Sequence, residues 1–282
     1  MILFSPMIRT INHLCCALGI KRTILDKILS NIDVYYYEKR KEKYRNGKLK
    51  TNKEGTPRYR IINPSVKELK VIQGRINRFL SLNIAFAPFV FGATKGKDNV
   101  LNAKTHRGNK FVFQTDLQDF FPFVTNQAVY NMFIEYEFSP DVARILTRLT
   151  TYKGHLPQGA ATSATIANLV FTRIGNQISS IAIRNRWTFT TFVDDVTISS
   201  PIDFKNQIPV ILKMITDGGF KISHLKTTYR TDHPNITGVK MGNNYLDVTD
   251  EFKDKMANTE GKSPEQIRGE LNYYHKVIKA NL

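Results

Sequence analysis

Cysteine is nearly absent from this chain: its 282 residues include only two, and they are neighbours, Cys15 and Cys16. Adjacent cysteines are poorly placed to bridge each other and too few for a zinc cluster, so disulfide scaffolds, thiol redox chemistry and structural zinc drop out. Acidic residues are also scarce, 24 Asp and Glu against 41 Lys and Arg, for a formal net charge of +17. A surplus of that size calls for an anionic partner. Long apolar runs are missing too. No stretch approaches the roughly 20 residues of a membrane span, and Arg9, Asn12 and His13 interrupt the place where a signal peptide needs an unbroken apolar segment. The expected location is therefore the cytoplasm, with no membrane partner. No internal repeat or low-complexity tract occurs, and Pro and Gly punctuate elements without gathering into a linker. What remains is the composition of a folded protein, 41% hydrophobic and 11% aromatic, on a chain able to bury roughly 70–75% of its unfolded surface.

Charge is unevenly spread. Residues 38–60 hold six Lys and four Arg, with Tyr44 and Tyr59 interleaved. Such a run is either a solvated face or a nucleic-acid contact, and composition alone does not choose. Hydrophobic periodicity predicts helices over 7–18 and 22–37, a basic hairpin over 44–63 turning at Asn46-Gly47 or Glu54-Gly55, and a helix over 65–81. Residues 110–116 read as a buried strand ending on Asp116. Helices follow over 125–137 and 140–152, the second with Ser139 as N-cap and Pro140 in its first turn. A long amphipathic helix is expected from 163 to 185, its apolar residues recurring every three or four positions. Two β-rich segments, 187–193 and 196–200, flank Asp194-Asp195 as a hairpin tip. A helix over 204–217 and strands near 220–223 and 227–231 complete an α+β unit, an open antiparallel sheet with helices on one face.

The acids carry the chemistry. Asp116 closes one strand and Asp194 and Asp195 sit at a hairpin tip, so adjacent strands of one sheet would bring the three together. Converging carboxylates repel and raise their own pKa values unless a cation joins them, which makes a divalent-metal site the natural resolution. Two Mg2+ ions in such a site would serve an in-line displacement at phosphorus, that is, nucleotidyl transfer. Taken alone, an Asp-Asp dipeptide reads first as an ordinary hydrogen-bonded turn.

The surrounding residues go further. Asp116-Leu117-Gln118-Asp119-Phe120-Phe121-Pro122, then Leu156-Pro157-Gln158-Gly159, then Phe192-Val193-Asp194-Asp195 resemble, in order and spacing, the successive palm motifs of reverse transcriptases. Asn102-Ala103-Lys104-Thr105-His106 resembles the N-A-x-x-H element of retron reverse transcriptases, and Ile236-Thr237-Gly238 their V-T-G element. The likeness covers roughly residues 55–240 and, more weakly, the tail. It implies a right-hand polymerase fold: N-terminal helices and fingers over 1–105, an antiparallel-sheet palm over 106–240 and a short helical thumb over 241–282.

The resemblance also implies roles. Asp116, Asp194 and Asp195 would be the catalytic, metal-binding triad for two Mg2+ ions. Phe121 would lie against the sugar of the incoming dNTP and exclude a 2′-hydroxyl; its alternative is a core phenylalanine. Gln158 and Gly159 would contact nucleotide and template, or form a plain turn. Arg58 and Arg60 match finger residues that grip the triphosphate, where a guanidinium fork suits phosphate oxygens. Lys226 resembles the lysine of the fourth palm motif, a proton donor to pyrophosphate, and is otherwise a surface lysine. Asn102, His106, Thr237 and Gly238 would engage structured RNA, although Asn102 and His106 could equally fasten a loop against the palm. The chain departs from the family pattern at Phe192-Val193, where Tyr-Ala is usual, at Ala164 after Ser163, where Pro is common, and at Ser223, where Asn is common.

A retron enzyme is expected to copy a cognate non-coding RNA from the 2′-hydroxyl of an internal guanosine, giving branched RNA–DNA (msDNA). No RNase H domain or effector is evident, so a host RNase H and a separate effector protein, within an antiphage defence system, are the implied partners. Two alternatives are another bacterial reverse transcriptase, of group II intron or stand-alone defence type, and a catalytically silent RNA-binding scaffold. The scaffold sits poorly with three retained acids, since acids repel phosphates.

Overall fold

The computed structural model describes residues 8–45, 48–52, 54–232, 234–242 and 244–282. The chain divides into two compact units, Met1–Phe86 with Asp119–Thr172, and Ala87–Gln118 with Arg173–Leu282.

The first unit is mainly helical. Helix Ile11–Leu18 opens on Thr10, whose side chain accepts from His13 N, and stops at Gly19, where φ is 60. Helix Arg22–Ser30 ends seven residues short of expectation, followed by a 3-10 turn over Ile32–Tyr35. Tyr36 is the physical reason. Its extended backbone lets the hydroxyl accept from Gln73 Nε2 at 2.8 Å, while Gln73, fully buried, also donates to Leu149 O and accepts from Ser65 Oγ. A buried amide satisfied on three sides outweighs a further turn of helix. Gln73 belongs to helix Lys67–Asn83. Helices Asn126–Glu135 and Pro140–Thr150 pack together, the latter capped by Ser139 with Pro140 at its start, as the sequence predicts.

The basic segment of this unit forms two short ribbons. Lys39–Glu42 pairs with Tyr59–Ile62, and Tyr44–Arg45 with Lys48–Leu49. The candidate turn at Asn46-Gly47 lies outside the described residues. The one at Glu54-Gly55 is formed: Asn52 Oδ1 accepts from Glu54 N and Thr56 N, and Gly55 has φ 80.

In the second unit a four-stranded antiparallel sheet has the spatial order Thr188–Phe192, Asp195–Ser200, Phe111–Asp116, Thr228–Arg230. Phe111–Asp116 is central because Val112 and Phe113 are fully buried. The strand expected at 220–223 is reduced to a single bridge, Leu117 to Ile222, followed by a 3-10 turn at His224–Lys226. The helix expected over 204–217 is helix Ile208–Asp217, entered through a 3-10 turn. A smaller sheet, Leu246–Val248, Val239–Met241 and Asn235–Ile236, shares one core with helices Asn99–Thr105 and Pro264–Lys279 through Val100, Ala103, Ile236, Val239 and Val277. Helix Ser163–Arg184 runs from the first unit into the second. No helix among the described residues is long and apolar enough to cross a membrane.

Candidate active site

The candidate acids meet on the central strands of the second unit. Asp116, the last residue of its strand, stands opposite Asp195 in antiparallel register, and Asp195 in turn opposes Phe192. The hairpin turn is therefore Val193-Asp194, one position earlier than the expected tip at Asp194-Asp195, and Asp195 is a strand residue. Val193 takes a positive φ of 58, which a β-branched side chain rarely adopts. Leu117 N donates to Asp194 O at 2.8 Å, fastening the turn to the chain just beyond Asp116.

Lys226 joins the acids from its 3-10 turn, its ammonium donating to Asp116 Oδ1. Ser223 N donates to Asp116 O at 2.8 Å, which ties that turn to the strand end. A cleft of about 250 Å³ opens here, lined by Asp116, Asp195 and Lys226 together with Gln114, Thr197 and Arg230. No sequence motif announces Gln114 or Arg230. Their strand register supplies the signal, since Gln114 pairs with Thr228 and Val112 with Arg230 on adjoining strands.

Electrostatics mark this cleft as short of positive charge. The Asp195 carboxyl is raised to about 7, first by burial, then by the charges of Asp194 and Asp116, with Lys226 acting the other way. A carboxylate so placed takes up a proton or a cation, and an all-oxygen donor set suits a hard divalent ion. The residues present therefore fit such a metal. As placed, the three side chains are not drawn into one coordination sphere, and no group of three or more His, Cys, Asp or Glu is so drawn among the described residues.

The RNA-binding candidates also lie in the second unit, two of them buried. Asn102 and His106 are 1% and 0% exposed. His106 bonds Ser199 Oγ and Thr190 Oγ1, each at 2.7 Å, and so ties the two strands of the acidic hairpin to its own helix. Asn102 Nδ2 donates to Thr237 Oγ1 at 3.3 Å, joining the two retron-like elements. The fastening role is the one this geometry supports for both. Thr237 is half-buried and Gly238 exposed; their φ values of 48 and 83 make them the two central residues of a tight hairpin turn.

Burial holds the His106 pKa down at about 3, so the folded state keeps the ring neutral. The unfolded ring titrates near 6.5, so the folded protein binds fewer protons between these values and stability is lost as pH falls below about 6.5. Between pH 7 and pH 5 this amounts to about 2 kcal/mol. His106→Gln is expected to remove that part of the pH dependence in urea unfolding, and equal pH slopes for parent and variant would refute it.

The nucleotide-binding candidates other than Lys226 belong to the first unit. Arg58 and Arg60 are exposed, Arg60 opposite Lys41 on the ribbon. Just past this strand Asn63 N donates to Gln158 O at 2.8 Å, so the Gln158-Gly159 loop lies beside the end of the ribbon. Gly159 has φ 102, closed to ordinary side chains. Phe121 is half-buried in the short turn Phe120–Phe123, its ring 5.7 Å from that of Phe120.

Comparison with known proteins gives the family. Residues 49–242 match the family described as Reverse transcriptase (RNA-dependent DNA polymerase). The chain is 29% identical over 231 residues to the Retron Se72 reverse transcriptase of Salmonella heidelberg (strain 579083-10), covering 78% of this chain and 57% of that protein. It is 33% identical over 143 residues to the Retron Ec86 reverse transcriptase of Escherichia coli, covering 51% and 45%. With the Retron Ec48 reverse transcriptase, also of Escherichia coli, it shares 31% over 183 residues, covering 60% and 45%. The chain thus spans about half the length of the curated relatives it matches. Among solved structures, telomerase from Candida albicans in complex with a TWJ fragment of telomeric RNA superposes with a TM-score of 0.52 at 10% identity, over 91% of this chain and 59% of that one. At that identity the likeness is one of fold.

Proposed function

Because this chain belongs to the reverse transcriptase family, we propose that it is the RNA-directed DNA polymerase of a retron, copying a cognate structured RNA from an internal guanosine 2′-hydroxyl to give branched RNA–DNA. The observation that carries this is the register of Asp116 against Asp195 with Asp194 on the adjoining turn, in a cleft that needs positive charge. Asp116, Asp194 and Asp195 are the residues that would hold divalent ions, two Mg2+ in this reading. Bound there, such ions lower the pKa of an attacking hydroxyl and offset charge on a leaving pyrophosphate.

The chain's own residues do the rest. Lys226 Nζ, resting on Asp116, gives a proton to the departing pyrophosphate. Arg58 and Arg60 hold the triphosphate, Gln158 and Gly159 meet nucleotide and template, and Phe121 excludes a ribose. The Thr237-Gly238 turn presents backbone to the folded RNA, with Asn102 supporting it from within and His106 holding the acidic hairpin. A separate effector protein, a host RNase H, a cytoplasmic location and a role in antiphage defence belong to the same reading.

The exposed cations of the ribbon supply sequence-independent affinity. Lys39 and Lys41 lie on one face with Arg60. Replacing both lysines by Ala is expected to lower the log–log salt slope of RNA binding by roughly 1.4–1.8, at 0.7–0.9 per phosphate contact, for cognate and scrambled RNA alike. An unchanged slope would remove the ribbon from the interface.

The deciding experiment is purification of the protein with its neighbouring RNA, followed by a test for DNA joined covalently to RNA. RNA-linked DNA whose branch maps to a guanosine 2′-hydroxyl is the expected result. DNA synthesis only from annealed primers would favour another kind of reverse transcriptase, and RNA without any synthesis would favour the silent scaffold.

A further inference from the structure

The turn that carries Asp194 is held in an unfavourable conformation. Val193 is β-branched and has φ 58, a strained backbone state that persists only where neighbours impose it. On one side the neighbour is Leu117, whose amide fixes Asp194 O. On the other it is the segment Phe89–Gly92, which runs along the hairpin's outer strand. Phe91 N donates to Thr191 O and Thr191 N to Phe89 O, both at 2.8 Å, with Val90 bridged in parallel to Thr191.

Gly92 ends that segment against the turn itself. A Cβ built on it would stand 2.7 Å from Val193 Cγ2 and 2.9 Å from the Phe192 carbonyl carbon, and closer still to Val193 N. Two of these three atoms are backbone, so no rotamer change makes room. The φ of Gly92 lies outside the left-handed region, so glycine is needed here for space and not for its dihedral freedom. The segment is itself braced: Lys97 Nζ donates to Pro88 O at 2.5 Å and Val90 O at 2.9 Å and lies 4.4 Å from the centre of the Phe91 ring.

We infer that Gly92 is a positioning residue, the end of the Phe89–Gly92 strap that Lys97 braces, packed against Val193 so that it fixes where Asp194 and Asp195 present their carboxylates. The inference rests on the polymerase reading above.

The test is Gly92→Ala, alone and combined with Val193→Ala, in the full chain. If the strap sets the turn, Gly92→Ala lowers kcat for primer extension by on the order of tenfold or more, the scale of a sub-ångström misplacement of reacting groups. KM for dNTP should stay within about threefold, because the dNTP contacts are elsewhere. Hydrogen exchange at the Thr191 and Phe91 amides should quicken. Val193→Ala removes the one side-chain atom the added Cβ meets, Cγ2 at 2.7 Å, and leaves the backbone contacts in place, so the double variant should recover at most a minor part of kcat. A Gly92→Ala enzyme with kcat within about twofold of the parent overturns the inference. Should Gly92→Ala fail to fold, Lys97→Gln decides: it slackens the strap without touching the turn, and unchanged kcat and exchange would overturn the proposal. A parent inactive with Mg2+ would count against the polymerase reading instead, with the exchange measurement still judging the strap.

Discussion

Asp194→Asn and Asp195→Asn are each expected to cut Mg2+-dependent primer extension by at least about 10³-fold, the scale on which removing a preorganised charge acts at a reacting phosphate. Fold and RNA binding should survive. Asn has nearly the shape of Asp, and Asp195 keeps its ladder place opposite Asp116 and Phe192 whichever side chain it carries. The burial and like-charge repulsion that raise the Asp195 pKa also vanish with the charge, so Asp195→Asn should be no less stable than the metal-free parent near pH 7. Thermal melting and filter binding to RNA check these two parts. Extension by either variant within tenfold of the parent would sink the triad assignment, whereas loss of melting temperature together with activity would reduce the pair to a structural hairpin.

How much of this was legible from residues alone depends on the range of the forces involved. Ser139-Pro140 marks its helix start because a cap and a first-turn proline act within four residues. Phe111–Asp116 is legible because strand burial writes itself into consecutive apolar residues. The turn at Val193-Asp194 is misread by one position because Asp is the better turn former, while the valine is forced into a left-handed state by the Phe89–Gly92 segment, far off in sequence. Helix Asn99–Thr105 is too short to show a period, and its one local signal is Asp98, whose carboxylate accepts from Leu101 N at 2.9 Å. Whether its Asn102 and His106 face RNA or fasten a loop is undecided in the sequence because their partners are remote: the His106 ring meets the hydroxyls of Ser199 and Thr190, and Asn102 Nδ2 donates to Thr237 Oγ1. The acids themselves were visible in the motifs; their register was not, since pairing of Asp116 with Asp195 is a property of the closed sheet.

Phe121→Ala is expected to reduce discrimination against ribonucleotides by on the order of 10²-fold, measured as the ratio of kcat/KM for dNTP and rNTP. Phe121 follows Phe120, which is 3% exposed and packs its ring edge-on against Phe171 at 6.4 Å. Phe120 is thus the core residue of the pair, and Phe121, half-buried against it, is the one with a face to spare for a ligand. Asp119, with φ 49, turns the chain just before them. A rigid ring backed by a buried neighbour discriminates by exclusion: it makes no bond to a deoxyribose but leaves no room for one more oxygen. Shrinking it to a methyl should therefore raise kcat/KM for rNTP far more than it changes that for dNTP, while Phe121→Tyr, which keeps the ring, should stay selective. The stability cost should be small beside that of Phe120→Ala, which opens a cavity in the core and is expected to cost about 3–5 kcal/mol. If Phe121→Ala proved as destabilising as Phe120→Ala and as selective as the parent, both phenylalanines would be core residues and selection of the sugar would lie with another side chain.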